Sequence, residues 1–308
     1  MNQDSKRAGI VYTASAYVMW GLFPLYWKLL GEVNANEILA HRVIWSFVFM
    51  LLLLLVTKQM SALKKTLGLL FRNTKQAVIL FVASVLISIN WFVYIWAVNH
   101  NHIIETSLGY YINPLVSILL GIVVLKEKLN FWQGASVGLA AIGVIVMTVT
   151  YGHIPWVSLS LAFSFGLYGL VKKTIQLEAK VGLTIETMMV APIAVIYFIF
   201  LLVKGSSSFS LQSLDLSALL IGGGVATAMP LLYFAKGAPL IPLSMVGFLQ
   251  YIAPTMTLLL GVFVYHEPFS SVEMIAFLFI WGGSVMFILS KTKFMSSHQP
   301  KFFKGRSA

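Results

Sequence analysis

Four ionisable residues lie inside long apolar stretches of this chain. A charged side chain is costly in such surroundings, so these residues are candidates for a functional role. Glu37, His41 and Arg42 belong to ANEILAHRVIWS, and Glu186 belongs to LTIETMMV. Glu37 and His41 are four residues apart, so a helix brings them to one face, where a carboxylate and an imidazole can exchange a proton near neutral pH. Glu37, His41 and Glu186 are therefore predicted to serve in gating or proton coupling.

Each of these residues also has an ordinary structural explanation. A carboxylate in the first turn of a helix interacts favourably with the helix dipole, which would account for both Glu37 and Glu186. His41 would then be a polar residue at the membrane interface. Arg42 is predicted to lie deeper, where it would attract an anionic group or pair with an acid such as Glu105.

Two prolines mark places where a substrate would meet polar groups. Pro114 and Pro254 lack a backbone N–H, so each leaves a carbonyl without its usual helical partner and is predicted to kink its helix. Amide and phenol side chains beside both prolines would add donors and acceptors, unless the amides bond to neighbouring helices and the kinks serve only packing. The side chains predicted there to bind substrate are Tyr110, Asn113, Gln250 and Tyr251.

A further polar cluster lies in the stretch NWFVY. Its Asn90 and Tyr94 share a helix face, and Tyr233 occupies the corresponding place later in the chain. The substrate-binding residues predicted outside the proline sites are Asn90, Trp91, Tyr94, Tyr233 and Arg42. No catalytic residue, metal site or cofactor is predicted.

The two proline-containing stretches are copies of one pattern. Residues 111–127 are YINPLVSILLGIVVLKE and residues 251–267 are YIAPTMTLLLGVFVYHE, with 8 of 17 positions identical. An internal repeat of this strength indicates a duplicated chain. The prolines are predicted to fall near mid-membrane, whereas the closing Glu127 and Glu267 fall at opposite membrane faces and are expected to be solvated end charges.

The composition is that of an integral membrane protein. Of the 308 residues, 59% are hydrophobic and 10% are charged, whereas soluble domains carry about 25% charged residues. A spanning helix needs about 20 apolar residues. The ten predicted spans are 8–28, 36–57, 76–98, 103–125, 131–151, 154–171, 182–203, 216–236, 239–264 and 271–290. The first is a retained helix rather than a signal peptide, and the linker 58–75 could form an amphipathic surface helix.

Basic residues determine the predicted topology. With the N-terminus in the cytoplasm, 18 of the 21 Lys and Arg residues lie on the cytoplasmic side, as the positive-inside rule requires. Both termini are then cytoplasmic, and five helices separate each residue from its copy, so the second half is inverted. The predicted fold is an all-α integral membrane protein with ten transmembrane helices in two inverted five-helix repeats, residues 1–151 and 152–290, followed by a basic cytoplasmic tail, 291–308.

Several motifs resemble one known family. The runs FPLYWKLL, EILAHRVIWS, NWFVYIWAVN, TSLGYYINPLVSILLG and GFLQYIAP are similar to the RarD-type branch of EamA transporters, in the drug/metabolite transporter superfamily. The resemblance extends from Gly9 to Leu289. It implies a ten-helix inverted-repeat transporter of the bacterial inner membrane, with a central cavity lined by helices other than 5 and 10. Those two helices are peripheral in the superfamily and are often implicated in dimer contacts.

The predicted function is secondary-active transport of a small polar or amphipathic metabolite or drug by alternating access. No GxxxxGK[ST] loop is present for ATP coupling and no HExxH for a metalloprotease, so an enzyme is not predicted; a membrane-embedded sensor or a channel is the alternative. The predicted partners are the lipid bilayer and an unidentified small molecule, without nucleic acid. Gly134 and Gly138 form a GxxxG pattern in helix 5, which fits either a homodimer through helices 5 and 10 or packing within the chain.

Overall fold

The computed structural model describes residues 3–99, 103–151, 156–174, 177–210, 212–266 and 270–290, together with residues 292 and 295. These residues form α-helices, one 3₁₀ turn (Ala238–Leu240) and no β-strand. The helices are α1 (Gln3–Gly21), α2 (Phe23–Lys28), α3 (Ala35–Val56), α4 (Met60–Arg72), α5 (Thr74–Asn99), α6 (Ile103–Val123), α7 (Phe131–Tyr151), α8 (Trp156–Thr174), α9 (Ala179–Val203), α10 (Leu214–Gly237), α11 (Leu243–Gln250), α12 (Ile252–Phe263) and α13 (Ser271–Leu289).

The predicted all-α class is confirmed. Within the described residues, seven helical stretches are long and apolar enough to cross a membrane, and shorter apolar helices occur at Leu108–Val123 and Met274–Leu289. Two of the seven, Gln3–Lys28 and Leu243–Phe263, each combine two consecutive helices. The count of ten spans and their inverted order stay predictions, and the tail 291–308 lies outside the described residues except for 292 and 295.

Helices from the first half of the chain pack mainly against helices from the second half. Helix α1 packs against α10 and α12, α3 against α9 and α10, α5 against α8 and α9, and α6 against α8 and α11. Large side chains such as Leu108, Tyr168 and Phe234 are fully buried in the main core. Apolar residues such as Val56 and Val203 remain exposed on the outside, as a surface facing hydrocarbon requires.

The amphipathic helix expected in the 58–75 linker is α4. Its Leu63 and Leu70 are buried against Leu54 and Leu80, while Lys64 and Lys65 are exposed. The apolar positions recur at a spacing of seven, so they fall on one side of the helix. The linker therefore covers the ends of α3 and α5 with its apolar face.

Helix α11, which leads into the second copy of the repeated stretch, crosses the first copy in α6 at close range. Gly247 of α11 lies so close to α6 that a Cβ there would stand 2.7 Å from the Pro114 carbonyl oxygen and 2.7 Å from Ile118 Cγ1. Tyr111 of α6 donates a hydrogen bond from its hydroxyl to the Pro254 carbonyl at 3.2 Å. Glycine at position 247 therefore permits the close approach of the two helices.

The two prolines predicted to kink these helices have different surroundings. Helix α6 runs without interruption through Pro114. The second copy is interrupted at Tyr251, between α11 and α12, so the break lies three residues before Pro254. Gln250 is the last residue of α11. Because Pro254 has no backbone N–H, the Gln250 carbonyl lacks its usual helical hydrogen-bond donor.

Helices α7 and α13 pair with each other at one edge of the molecule. Gly143 and Gly283 permit this approach, since a Cβ at either would lie within 2.7 Å of a backbone carbonyl oxygen of the other helix. The predicted GxxxG residues are Gly134 and Gly138. A Cβ atom added at either would have no atom of another helix in the described chain within 4 Å. The homodimer through these helices stays a prediction.

Residues 134–138, GASVG, also match the GxSxG pattern of serine hydrolases. That pattern works on a strained turn between a strand and a helix. Here it lies inside the continuous helix α7, and Ser136 Oγ donates to the Trp132 carbonyl at 2.6 Å. The pattern therefore lacks the strained turn on which a serine nucleophile of this kind depends.

Gly247→Ala is expected to destabilise the protein by about 1–3 kcal/mol, because the added methyl group overlaps the Pro114 carbonyl and Ile118. The measurement is the thermal unfolding midpoint of the purified protein in detergent. The matched control is Gly138→Ala, which adds the same methyl group in open space and should leave the midpoint unchanged or raise it, since alanine is the better helix former. Equal midpoints for the two variants would contradict the proposed crossing.

Candidate functional site

Arg42 is a buried cation near the centre of a cluster of aromatic side chains. It is 8% exposed, and its Nε donates to Thr227 Oγ1 of α10 at 2.9 Å. The ring centroids of Trp27 and Trp91 lie 4.6 and 5.4 Å from the guanidinium carbon. Indole rings attract a cation through their electron-rich faces, so they stabilise the buried charge without neutralising it.

Two phenols complete the cluster around Arg42. Tyr94 and Tyr110 lie close enough to the guanidinium to interact with it electrostatically, and their ring centroids are 6.0 Å apart. Neither hydroxyl makes a hydrogen bond to the described residues, and Tyr110 is 39% exposed although it borders the buried Arg42. The side chain of Glu105, predicted as an acid partner for Arg42, lies outside the described part of the chain.

Trp91 also borders a narrow cavity between the helices, with a volume of about 10 Å³. Its apolar wall includes Val43, Ile87 and Leu231, and its polar wall includes Glu186 and Thr187. The wall is contributed by α3, α5, α8, α9 and α10. Helices from both halves of the chain therefore enclose this space.

Glu186 forms a buried ion pair at the edge of the cavity. Its carboxylate lies 2.5 Å from Lys172 Nζ and accepts a hydrogen bond from the Tyr168 hydroxyl at 3.1 Å. Glu186 and Lys172 are 2% and 5% exposed. The alternative of a first-turn acid is wrong for Glu186, because α9 begins at Ala179, seven residues earlier. The carboxylate pairs with side chains of α8 and does not interact with the N-terminus of its own helix.

Glu37 and His41 are neighbours, as their spacing predicts. The distance from His41 Nε2 to Glu37 Oε1 is 3.9 Å, too long for a hydrogen bond, and His41 Nδ1 accepts from Trp45 Nε1 at 3.1 Å. Glu37 lies in the first turn of α3 but is 1% exposed. Its Oε1 accepts hydrogen bonds from Ser207 Oγ and the Ser208 backbone N–H, both at 2.7 Å, so it anchors the loop between α9 and α10.

Glu127 was expected to be a solvated end charge, and that expectation is wrong. Its carboxylate accepts hydrogen bonds from the backbone N–H groups of Leu243 and Ser244 at 2.6 and 2.9 Å. These N–H groups begin α11 and have no partner within their own helix. Lys173 Nζ donates to the adjacent Ile241 carbonyl and strengthens the same contact. The equivalent Glu267 lies outside the described residues.

Three predicted residues near the repeated prolines are buried with unpartnered oxygens. Asn113 Oδ1, Gln250 Oε1 and the Tyr251 hydroxyl find no hydrogen-bond partner among the described residues. Nearby on α1, the hydroxyl of Tyr17 lies beside the Gln250 side chain without a hydrogen bond of good geometry. Buried polar groups are nearly always hydrogen-bonded, so this concentration of exceptions distinguishes the α1, α6 and α11 region from ordinary packing.

Two further predicted residues occupy other helix contacts. Asn90 donates from Nδ2 to the Leu161 carbonyl and to Ser164 Oγ, both at 3.0 Å, which ties α5 to α8. Tyr233 packs edge-on against Tyr12 of α1, with ring centroids 5.6 Å apart. The structure therefore brings Arg42, Trp91, Tyr94 and Tyr110 together and places Asn90 and Tyr233 at contacts between helices.

Three members of the site were not recognised in the sequence. Thr227 and Trp27 touch Arg42, and Lys172 pairs with Glu186. Lys172 looked like one of the basic residues at a cytoplasmic helix end. The signal that could have identified it is the spacing Ser164, Tyr168, Lys172, which places all three on one face of α8.

Comparison with known proteins decides the family. A model of the EamA-like transporter family matches residues 7–149 and 154–289. The chain belongs to the EamA-like transporter family. It is 53% identical to "Uncharacterized transporter YojE" of Bacillus subtilis over 95% of this chain and 97% of that protein. It is 43% identical to "Protein RarD" of Escherichia coli over 94% of this chain and 96% of that protein.

A solved crystal structure supports the fold. It covers 94% of this chain and 99% of its own, with a TM-score of 0.69 at 15% identity, a likeness that shows the fold alone. The resemblance to RarD-type members of the drug/metabolite transporter superfamily is confirmed by the relatives. The chain is thus an integral membrane protein of a transporter family.

Glu186→Leu is expected to lower the free energy of unfolding by roughly 3–5 kcal/mol, because it leaves Lys172 buried without its carboxylate. The double variant Glu186→Leu with Lys172→Met removes both charges and should recover most of that loss. Thermal unfolding in detergent measures both. Glu178→Leu, at the exposed start of α9, is the control and should change stability by less than about 1 kcal/mol. A double variant as unstable as the single one would argue against a buried ion pair.

Proposed function

We propose that this protein is a secondary-active transporter that moves a small polar or amphipathic metabolite or drug across the bacterial inner membrane by alternating access. One observation carries the proposal. Two separate sets of hydrogen bonds join the first half of the chain to the second, at Glu37 with Ser207 and Ser208 and at Glu127 with Leu243 and Ser244. We call them the Glu37 clasp and the Glu127 clasp.

The proposed architecture has ten transmembrane helices in two inverted repeats, residues 1–151 and 152–290. Repeated backbone conformation supports it. The N–H groups of Val124 and Leu125 both bond to the Leu120 carbonyl, and 140 residues later two consecutive N–H groups bond to the Leu260 carbonyl in the same way. Lys126 and His266, also 140 residues apart, have φ angles of 55° and 53°. The two copies thus share a left-handed turn that few non-glycine residues adopt.

The pattern of helix contacts gives independent support. In the proposed order, α1 with α2, α3, α5, α6 and α7 form the first repeat, and α8, α9, α10, α11 with α12, and α13 form the second. Exchanging each helix with its counterpart converts the α5–α8 contact into the α1–α10 contact, and the α3–α10 contact into the α5–α9 contact; all four are present. A two-fold relation between the repeats accounts for this pairing.

The distribution of basic residues supports opposite membrane faces for the two clasps. With both termini in the cytoplasm, Glu127, Lys172 and Lys173 lie toward the cytoplasm and Glu37 lies toward the outside. Opening one clasp while the other holds would connect the central site to one side only. A hydrogen bond to a charged group contributes roughly 1.5–3 kcal/mol, which is enough to shift a balance between two such states.

The proposed substrate site is the Arg42 cluster with the adjoining cavity. Arg42, Trp91, Tyr94 and Tyr110 would contact the substrate directly, and Asn113, Gln250 and Tyr251 would offer the unpartnered oxygens near the helix break. Asn90 and Tyr233 would position the wall helices. Glu186, held by Lys172 at the cavity edge, is suited to coupling because protonation of its carboxylate would release the lysine. Glu37 and His41 would serve the outer gate, and Pro114 and Pro254 would allow the helices carrying the site to bend.

A sensor or a channel is the alternative function. A sensor would bind its ligand without moving it, and a channel would open to both faces at once. Two clasps that close opposite ends favour a carrier over a channel, since a carrier must never be open at both faces.

The test uses a single reporter cysteine, because the chain has no cysteine of its own. Tyr110→Cys introduces it at the half-exposed position beside Arg42, and a membrane-impermeant maleimide labels it in intact cells or in inside-out vesicles. Glu37→Ala should raise labelling from the outside and lower it from the inside, and Glu127→Ala should do the reverse. We expect the ratio of outside to inside labelling to change by about tenfold or more in each variant, given the free energy of hydrogen bonds to charged groups.

Glu32→Ala is the matched control, because Glu32 is an exposed acid near the same end of the molecule as Glu37. It should leave labelling from both sides unchanged. Increased labelling from both faces in either clasp variant would indicate a channel. Unchanged labelling in both clasp variants would refute control of access by these hydrogen bonds.

A further inference from the structure

The Arg42 cluster also indicates which charge the substrate carries. Arg42 is more than nine-tenths buried and its Nε is committed to Thr227. Its two terminal nitrogens make no hydrogen bond to any described residue, and no described carboxylate lies within 4.0 Å of them. A buried guanidinium stays protonated, and an uncompensated buried charge is costly. The cluster is therefore electrostatically complementary to an anion.

The surrounding polar groups favour the same class of ligand. The side chains of Tyr94 and Tyr110 border the guanidinium, and their hydroxyls make no hydrogen bond to the described residues. Both can donate hydrogen bonds to an oxygen anion bound at the terminal nitrogens of Arg42. The terminal nitrogens and the two hydroxyls thus form a set of donors around one positive charge.

The number of cations limits the charge of the ligand. Lys172 is the next buried cation by the cavity, and Glu186 neutralises it. Lys28 instead lies over the Tyr265 ring, with its Nζ 3.7 Å from the ring centroid. Among the described residues by the cavity, Arg42 is then the one cation without a carboxylate partner, which matches a monovalent carboxylate that a guanidinium can bind through two parallel hydrogen bonds. A phosphate dianion would retain an excess negative charge in the same surroundings.

We propose that the substrate is a small monocarboxylate with an aromatic or branched apolar body. This inference rests on the proposed transport function and specifies its substrate class. The carboxylate binds Arg42, Tyr94 and Tyr110. The body packs against Trp91, on the side of the narrow cavity lined by Val43 and Leu231, and the helices must separate there to admit it. An organic cation is repelled by Arg42, and a neutral amide cannot neutralise it.

The test is equilibrium binding of radiolabelled benzoate to the purified full-length protein in detergent. Unlabelled phenylacetate should compete with benzoate, whereas benzamide and benzylamine, which resemble benzoate in size but lack its negative charge, should compete at least about tenfold less well. Arg42→Gln should abolish binding, and Arg42→Lys should weaken it by about tenfold or more because the planar fork is lost. Tyr94→Phe and Tyr110→Phe should each weaken it by roughly three- to tenfold.

Lys28→Gln is the control, because it removes a cation that is stacked on Tyr265 outside the cluster, and it should bind benzoate normally. Each variant must elute as a single species in size-exclusion chromatography; if Arg42→Gln fails this criterion, the two tyrosine variants decide. Benzoate that does not bind, benzamide or benzylamine that binds as tightly, or tyrosine variants that bind as well as the parent would each overturn the proposal.

The two proposals fail in different ways. Reciprocal labelling of Tyr110→Cys without charge-selective binding would leave alternating access in place and remove the monocarboxylate. Selective benzoate binding without reciprocal labelling, and without benzoate counterflow in proteoliposomes, would keep the anion site and point to a sensor.

Discussion

Four buried or partly buried polar side chains of the first half of this chain find hydrogen-bond partners in the second half. A bilayer offers no water to satisfy a buried polar group, so each must be paired within the protein. Glu37 bonds to the loop before α10, Arg42 to Thr227, Asn90 to α8 and Glu127 to the start of α11. The two halves therefore depend on each other for stability. The same few hydrogen bonds hold them together and can control their relative movement.

Local properties of the sequence were sufficient to predict the helices and one side-chain pair. Hydropathy located the long apolar helices, because the apolar length of a span is contained in the span itself. It did not locate the breaks between α1 and α2 or between α11 and α12. The proximity of Glu37 and His41 followed from a spacing of four. The partners Ser207 and Thr227 could not be predicted, since they lie 170 and 185 residues away along the chain and nothing local relates them to their acceptors and donors.

The two glutamates whose surroundings were misjudged show the same limitation. Glu186 and Glu127 were each judged from their own helix, one as a first-turn acid and the other as a solvated end. Glu186 is neutralised by Lys172 of α8, a lysine that counted as a cytoplasmic end charge. Glu127 accepts hydrogen bonds from the first backbone N–H groups of α11. Those N–H groups have no partner in a preceding helical turn, because Pro242 separates α11 from the 3₁₀ turn. In both cases the partner belongs to another helix: a lysine of α8 for Glu186, and backbone N–H donors of α11 for Glu127.

In the proposed mechanism, the repeat accounts for alternating access, and the divergence of its two copies accounts for substrate selection. A duplicated backbone with equivalent helix contacts offers two related arrangements of similar energy, one open to each face. A substrate site confined to one copy is different, because its side chains need not be symmetric. Arg42 has no charged counterpart in the related stretch LTIETMMVAP, and Asn113 corresponds to Ala253. If the halves alternate as we propose, Arg42 lies between them and stays within reach of the substrate in both states, so the same contact would accompany the substrate across the membrane.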